Sequence, residues 1–389
     1  MNRFASRRLS PFGVTIFAEM SALAREHDAV NLAQGFPDFN GPGAMIESVH
    51  RTMLSGDNQY SRSAGHPALC EAVARHHRAH YDSDYDPMTE VGVTCGATEG
   101  IAAAMFGILD PGDEVILFEP FYDSYLACAV LAGAVPRVAT LSPPEFRIDM
   151  EQLAGLFSER TKLLVLNTPQ NPTGRVFSAE ELGAVADLCI RHDIAVLADE
   201  VYEHITFNDA GHVPFASLPG MRERTLTLSS AGKTFSFTGW KIGWSTGPEE
   251  LVSAQISAHQ FLTFCAPTPL QVAVAHALDH LPPDYYDGLQ EGYRRRRDLL
   301  CDGLAEAGFT PHSPEGTYFV LADFSALSDE DDRTFAHTLT REFGVAAVPP
   351  SVFYRERPEE ASSLLRFAFC KEPATLEEAC RRLRRVRAG

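Results

Sequence analysis

The chain has 389 residues, enough for two packed units around a sizeable core, and its 45% apolar and 22% charged content is ordinary for a globular protein. With 33 basic against 52 acidic residues the formal charge is −19, which opposes nucleic acid or an anionic membrane as partner. Eight scattered cysteines without a Cys-x-x-Cys pair make neither a disulfide framework nor a zinc-site spacing.

Met1 to Gly13 is basic but lacks the apolar core of a signal peptide. The longest apolar stretch, Leu126 to Val135, is far short of the ~20 residues of a spanning helix. A cytoplasmic protein is expected. Apolar positions at helical spacing (Ile16, Phe17, Met20, Leu23, Ala24) predict an amphipathic helix over 14–27. Val30-Asn31-Leu32 reads as a strand running into the Gly/Pro turn Gln34 to Phe39. Two helices flank Gly56 to Tyr60. The second places His76 and His80 on one face, with no third metal ligand on that face, so no metal site is expected.

From Val91 onward short apolar strands alternate with helices. Strands are expected at Val91 to Cys95, Glu114 to Phe118, Lys162 to Leu166, Ala195 to Ala198 and Thr225 to Leu228. Helices are expected after Gly96 to Gly100 and through Leu109, and at Ser124 to Ala132, Met150 to Leu156 and Ala179 to His192. That alternation predicts an α/β fold whose mostly parallel sheet is covered by helices on both faces. Pro282-Pro283 stops a helix over Pro269 to Leu281 and marks a boundary. Beyond it a polar helix, Tyr285 to Ala307, carries four arginines (294–297) read as a solvated or subunit-contacting surface. Strands at Tyr318 to Ala322, Val345 to Val348 and Leu365 to Phe369, separated by helices, predict a smaller α+β unit.

Chemistry gathers at strand ends. Gly96-Ala97-Thr98 at a strand-to-helix junction offers free N–H groups to an anion, or is an ordinary N-cap. Tyr122 in Glu119-Pro120-Phe121-Tyr122 could equally pack in the core. Asn171 lies in the turn-rich Asn167 to Gly174. Asp199, ending an apolar strand, is costly unless paired, or else caps a helix. Arg366, flanked by apolar residues, suits a planar carboxylate or a structural ion pair. The chain holds only four lysines, Lys162, Lys233, Lys241 and Lys371, and amine chemistry must use one of them because arginine stays protonated. Two fall in Ser229 to Trp244, amid small hydroxyl residues and aromatics.

That stretch, with Ser230-x-x-Lys233 and Thr-Gly-Trp-Lys-Ile-Gly-Trp after it, resembles the cofactor-lysine segment of fold type I aminotransferases that use pyridoxal 5'-phosphate (PLP). The likeness runs from about Phe12 to Leu383 with its motifs in the family's order. It looks closest to the branch of kynurenine aminotransferases and bacterial methionine aminotransferases, on Gln-Gly-Phe-Pro-Asp and Glu-Pro-Phe-Tyr-Asp-Ser-Tyr. The resemblance implies that Lys233 holds the cofactor covalently and carries the proton. It implies that Gly96, Ala97, Thr98, Ser230 and Lys241 surround the phosphate and that Tyr122 stacks on the ring. Asp199 would pair with the ring nitrogen, Asn171 and Tyr202 with the phenolic oxygen, and Arg366 with the substrate carboxylate. Gly35, Phe17 and Phe264 would line the substrate side, and Tyr60 would reach the partner subunit's site in a homodimer.

Phe17 and Cys265 depart from the tryptophan and histidine of kynurenine-type enzymes. The implied activity is transfer of the amino group of an L-amino acid (methionine, aromatic or kynurenine-like, or glutamine) to a 2-oxoacid. A cysteine-conjugate β-lyase and an N-succinyl-diaminopimelate aminotransferase are the alternatives. Residues 1–45 would then join the small unit, 46–283 form the large cofactor-binding one, and 284–389 supply the linking helix and small domain.

Overall fold

Short, largely apolar runs that end in threonine, glutamate, asparagine, aspartate or serine pair into one seven-stranded sheet in the computed structural model, which describes residues 4, 6–208, 210–282 and 284–386. Pro283 of the expected boundary and residues 1–3 and 5 of the basic N-terminal stretch lie outside the described residues. The first half of the chain runs α1 (Ile16–Glu26), β1 (Val30–Asn31), α2 (Gly43–Ser55), α3 (Pro67–Tyr81), β2 (Val91–Thr94), α4 (Ala97–Ile108), β3 (Glu114–Glu119), α5 (Asp123–Ala132), β4 (Val135–Thr140), α6 (Met150–Ala154), β5 (Thr161–Asn167), α7 (Ala179–Arg191) and β6 (Ala195–Asp199). Then come β7 (Thr225–Ser230), α8 (Ala231–Thr234), β8 (Gly243–Thr246), α9 (Glu249–Leu262), α10 (Thr268–His280), α11 (Tyr285–Glu306), β9 (Thr310–His312), β10 (Phe319–Asp323), α12 (Asp332–Thr338), β11 (Val345–Ala346), β12 (Leu364–Ala368) and α13 (Pro373–Leu383).

The large sheet has the order β2-β8-β7-β6-β5-β3-β4, and only β8 runs against its neighbours. Its inner strands are buried along nearly their whole length, which is why they read as apolar runs. Asn167, Asp199 and Ser230 therefore end three adjacent parallel strands at the same edge of the sheet. In such sheets ligands bind at that carboxyl edge. Among the elements that escaped the sequence reading are β4, β8 and α9. β4 begins with Val135-Pro136, and a proline is tolerated there because β4 is an edge strand. β8 alternates glycine, serine and threonine with one tryptophan, and α9 has a weak apolar face.

Helix ends follow local chemistry. Thr15 accepts from the Ala18 N–H and starts α1 two residues later than its apolar spacing suggests. Ser178 and Glu181 form a capping box on α7. The second unit has a three-stranded antiparallel sheet, β12-β10-β9, and the parallel pair β1-β11. One apolar core joins Ile16, Met20 and Leu32 near the N-terminus to Leu300, Val345, Phe367 and Leu383, and continues into Val201 to Phe207. The arginine run is not all surface. Arg297 is buried, donating to the Pro314 carbonyl and to Asp298 beside the Phe207 ring, because position 297 falls on the inner face of α11.

Candidate active site

The carboxyl edge of the large sheet opens into a cavity closed on its other side by β10 and β12. Among its lining residues are Phe17, Gly35, Gly96, Ala97, Thr98, Tyr122, Asn171, Asp199, Tyr202, Ser230, Lys233, Lys241 and Arg366, thirteen residues that the sequence nominates from widely separated places in the chain. Tyr60 and Phe264 do not line the cavity of their own chain. Tyr60 is 82% exposed and meets Phe264 edge-on, with ring centroids 5.0 Å apart.

At one end the lining has the donors and charge that suit an anion. Gly96 precedes α4 with φ +77° and leaves the helix without a side-chain cap, so first-turn N–H groups remain free. A Cβ on Gly96 would come within 3.0 Å of the Lys241 Nζ, so glycine is what lets that ammonium lie against the helix start. Ser230, at the end of β7, completes this end. Ser229 turns to the other face of the strand and donates to Glu203.

Asp199 sits at the sheet edge, 4% exposed. One carboxylate oxygen accepts from the Tyr125 hydroxyl at 2.5 Å and the other from the Val201 N–H at 3.4 Å. No helix follows it directly, so the cap reading fails. Burial raises its pKa, against the Tyr125 hydrogen bond and the charge of Lys233, both of which lower it. Asn167 pairs in register with Asp199, donating to its carbonyl and accepting from the Asn171 N–H. Asn167 and Tyr125 were missed; a polar residue ending an apolar strand was the available signal for Asn167.

Lys233 donates to the Tyr318 hydroxyl, which in turn donates to the Gly35 carbonyl at 2.7 Å. Tyr318 is fully buried and holds the amine between its own ring and that of Tyr202. Burial lowers the Lys233 pKa to about 8, helped by the nearby positive charges of Lys241 and Arg366 and opposed by Cys370 and Asp199. In the cofactor-free protein, competitive acetylation should therefore show Lys233 becoming reactive with a midpoint near pH 8, more than two units below an ordinary lysine at about 10.4. A midpoint above 10 would mean that the cavity does not perturb this amine.

Arg366 is 1% exposed, in the middle of β12. Its Nη1 donates to the Asn171 Oδ1 at 3.0 Å and its Nη2 to the Ala33 carbonyl at 3.2 Å, while Nε has no partner. The guanidinium lies 4.0 Å from the Phe319 ring centroid and near Phe17 and Phe353. None of its hydrogen bonds goes to a carboxylate, so the structural ion pair is not what holds it. Burial lowers its pKa to about 10, opposed by Tyr202, Tyr318 and Asp123. Gly35 is required by its neighbour, since a Cβ there would lie 2.5 Å from the Phe319 ring.

The family model for aminotransferases of class I and II matches residues 27–383. The chain is 46% identical over 385 residues to a probable N-succinyldiaminopimelate aminotransferase of Mycobacterium tuberculosis, covering 97% of each. It is 42% identical to the methionine aminotransferase of Escherichia coli, again covering 97% of each. The solved structure of N-succinyldiaminopimelate aminotransferase from Mycobacterium tuberculosis superposes with a TM-score of 0.95 at 46% identity, covering 98% of this chain and 100% of that one.

Proposed function

The chain belongs to the class I and II aminotransferases, and we propose that it moves the amino group of an L-amino acid with a thioether or aromatic side chain to a 2-oxoacid. It is a PLP enzyme of fold type I. The residues present fit that cofactor. The free start of α4, Ser230 and Lys241 suit a phosphate, and the buried Asp199 carboxylate suits a protonated ring nitrogen. Asn171 and Tyr202 would face the phenolic oxygen, and Tyr122 the ring.

When bound, PLP supplies an aldehyde carbon that bonds to an amine and a ring that takes up the electron pair released at Cα. The protein's residues do the rest. Lys233, once free, takes the proton from the substrate Cα, and a pKa near 8 leaves a useful fraction of it unprotonated near neutrality. The Tyr318 hydroxyl, anchored on Gly35, orients that amine. Arg366 binds the substrate carboxylate with donors that are incompletely used.

The unpartnered, buried Nε of Arg366 is the observation that carries the amino-acid reading. For the side chain, the surroundings of Arg366 are aromatic (Phe17, Phe319, Phe353). The other cations of the cavity, Lys233 and Lys241, are assigned to the cofactor. N-succinyl-diaminopimelate is the second reading, favoured by the 46% identity to the mycobacterial relative. Its additional carboxylates need a further cation, which would have to come from a neighbouring subunit. We read the enzyme as a cytoplasmic homodimer. Supporting this are the exposed Tyr60, Phe261 (86% exposed) and Phe264, the acidic charge, and the lack among the described residues of any helix able to cross a membrane.

The test is Arg366→Lys, assayed with methionine, phenylalanine, glutamine and N-succinyl-diaminopimelate. Replacing a fork by a point charge should lower kcat/KM about 30–150-fold for every donor, through KM, as expected for losing roughly 2–3 kcal/mol of charge-assisted contact. PLP content should stay unchanged. Normal kinetics with a lower melting temperature would make Arg366 structural. In the wild type, methionine or phenylalanine should lead the panel; a lead by N-succinyl-diaminopimelate would select the second reading.

A further inference from the structure

Behind the cavity, on the opposite face of β7 from Ser230, five histidines gather: His76, His77 and His80 of α3, and His204 and His212 of the segment after β6. The helix face that carries His76 and His80 offers no third metal ligand of its own, but the fold brings one from 128 residues away. The Nε2 atoms of His76 and His204 face each other at 3.0 Å. One ligand atom each of His76, Glu203 and His204 lie within 4.8 Å of one another, and all three residues are less than 8% exposed.

We propose that His76, Glu203 and His204 form a binding site for a divalent transition-metal ion of the zinc class. Two imidazole nitrogens on a tetrahedral ion with bonds of about 2.0–2.1 Å lie roughly 3.3 Å apart, so His76 and His204 need to part only slightly. The Glu203 oxygen would close in by at most about 1.5 Å from the 4.8 Å limit.

The charge balance points the same way. Glu203 is held by the hydroxyls of Tyr81 at 2.6 Å and Ser229, and no lysine or arginine pairs with it among the described residues. A buried carboxylate so placed needs a cation, supplied by an ion or by a proton shared between the imidazoles. Two nitrogen donors with one oxygen favour zinc, copper or nickel over magnesium and calcium. The fourth position falls to water on the side of His80, which is exposed and packs on His76 with ring centroids 4.3 Å apart. Tyr286 stacks on His204 and fixes its ring. Such an ion would tie α3 to the short segment that carries Asp199 and Tyr202.

The experiment uses the PLP-loaded enzyme, freed of metal by chelator and then titrated with Co2+. We expect one equivalent per chain with the intense visible band of four-coordinate Co2+, displaced by Zn2+. His76→Gln should bind at least ~100-fold more weakly while still transferring amino groups, since it lies outside the cavity. X-ray absorption on Zn2+-loaded wild type decides the matter without a variant. Nitrogen and oxygen neighbours at about 2.0–2.1 Å, with imidazole scattering, support the site, whereas a sulfur shell places the ion on a cysteine and overturns it. No bound ion, or equal binding by a folded His76→Gln, overturns it as well and leaves a shared proton between the two rings.

Discussion

With the proton-carrying role proposed for Lys233, Lys233→Ala should lose steady-state amino transfer by about 10²–10⁴-fold, because the variant lacks the group that moves the proton at the substrate Cα. Its cofactor is not lost with it. The free start of α4, Ser230, Lys241 and Asp199 remain, so PLP should stay bound through noncovalent contacts and leave on dialysis faster than from wild type. The measurement pairs single-turnover kinetics with absorbance of the retained cofactor. Added methylamine should restore part of the rate, since a small amine fits the space between Tyr202 and Tyr318. Undiminished turnover would move the role to Lys241, eight residues on.

Asp199→Asn is the second large effect. An amide cannot hold a ring nitrogen protonated, and removing a preorganised charge of this kind costs about 10²–10³-fold in kcat. Stability should move the other way in the cofactor-free protein. A folded pKa raised above the unfolded value means that the neutral form of Asp199 favours folding below about pH 4, and that this contribution is lost as pH rises through the folded pKa. Asparagine keeps the site neutral at pH 7, so the cofactor-free variant should melt no lower than wild type. A lower melting temperature with normal kcat would make Asp199 a structural acid held by Tyr125.

The strands that carry the site were legible because burial on both faces makes them apolar from end to end, and a polar residue at such an end stands out, as Asp199 does. Arg366 was legible for the same reason, as a charge inside β12. Tyr318 was not. Nothing about a tyrosine at the head of a strand says that its hydroxyl will meet an amine 85 residues earlier in sequence, and only the placing of β10 against the large sheet's edge makes it so. β8 stayed hidden because its residues are mostly small and hydroxylated, yet it sits between two strands and must be buried. The His76–His204 contact needed α3 brought against the segment after β6, a relation that spacing along one helix cannot express. Phe264 was placed by motif order at the substrate, whereas its own chain turns it toward Tyr60.

The pairing of β1 with β11 sets a timetable for synthesis. Val30 meets Val345 and Asn31 meets Ala346, 315 residues later. At about 5–20 residues per second a ribosome needs roughly 15–60 s to make that interval. Throughout it α1 has an apolar stripe (Ile16, Met20, Leu23) whose covering residues do not yet exist. The large sheet, whose strands all lie between residues 91 and 246, can assemble meanwhile, so the nascent chain spends its time as a folded middle with an uncovered leading end. A chaperone that binds short apolar helices would find its target there, at a segment whose cover is made 315 residues later.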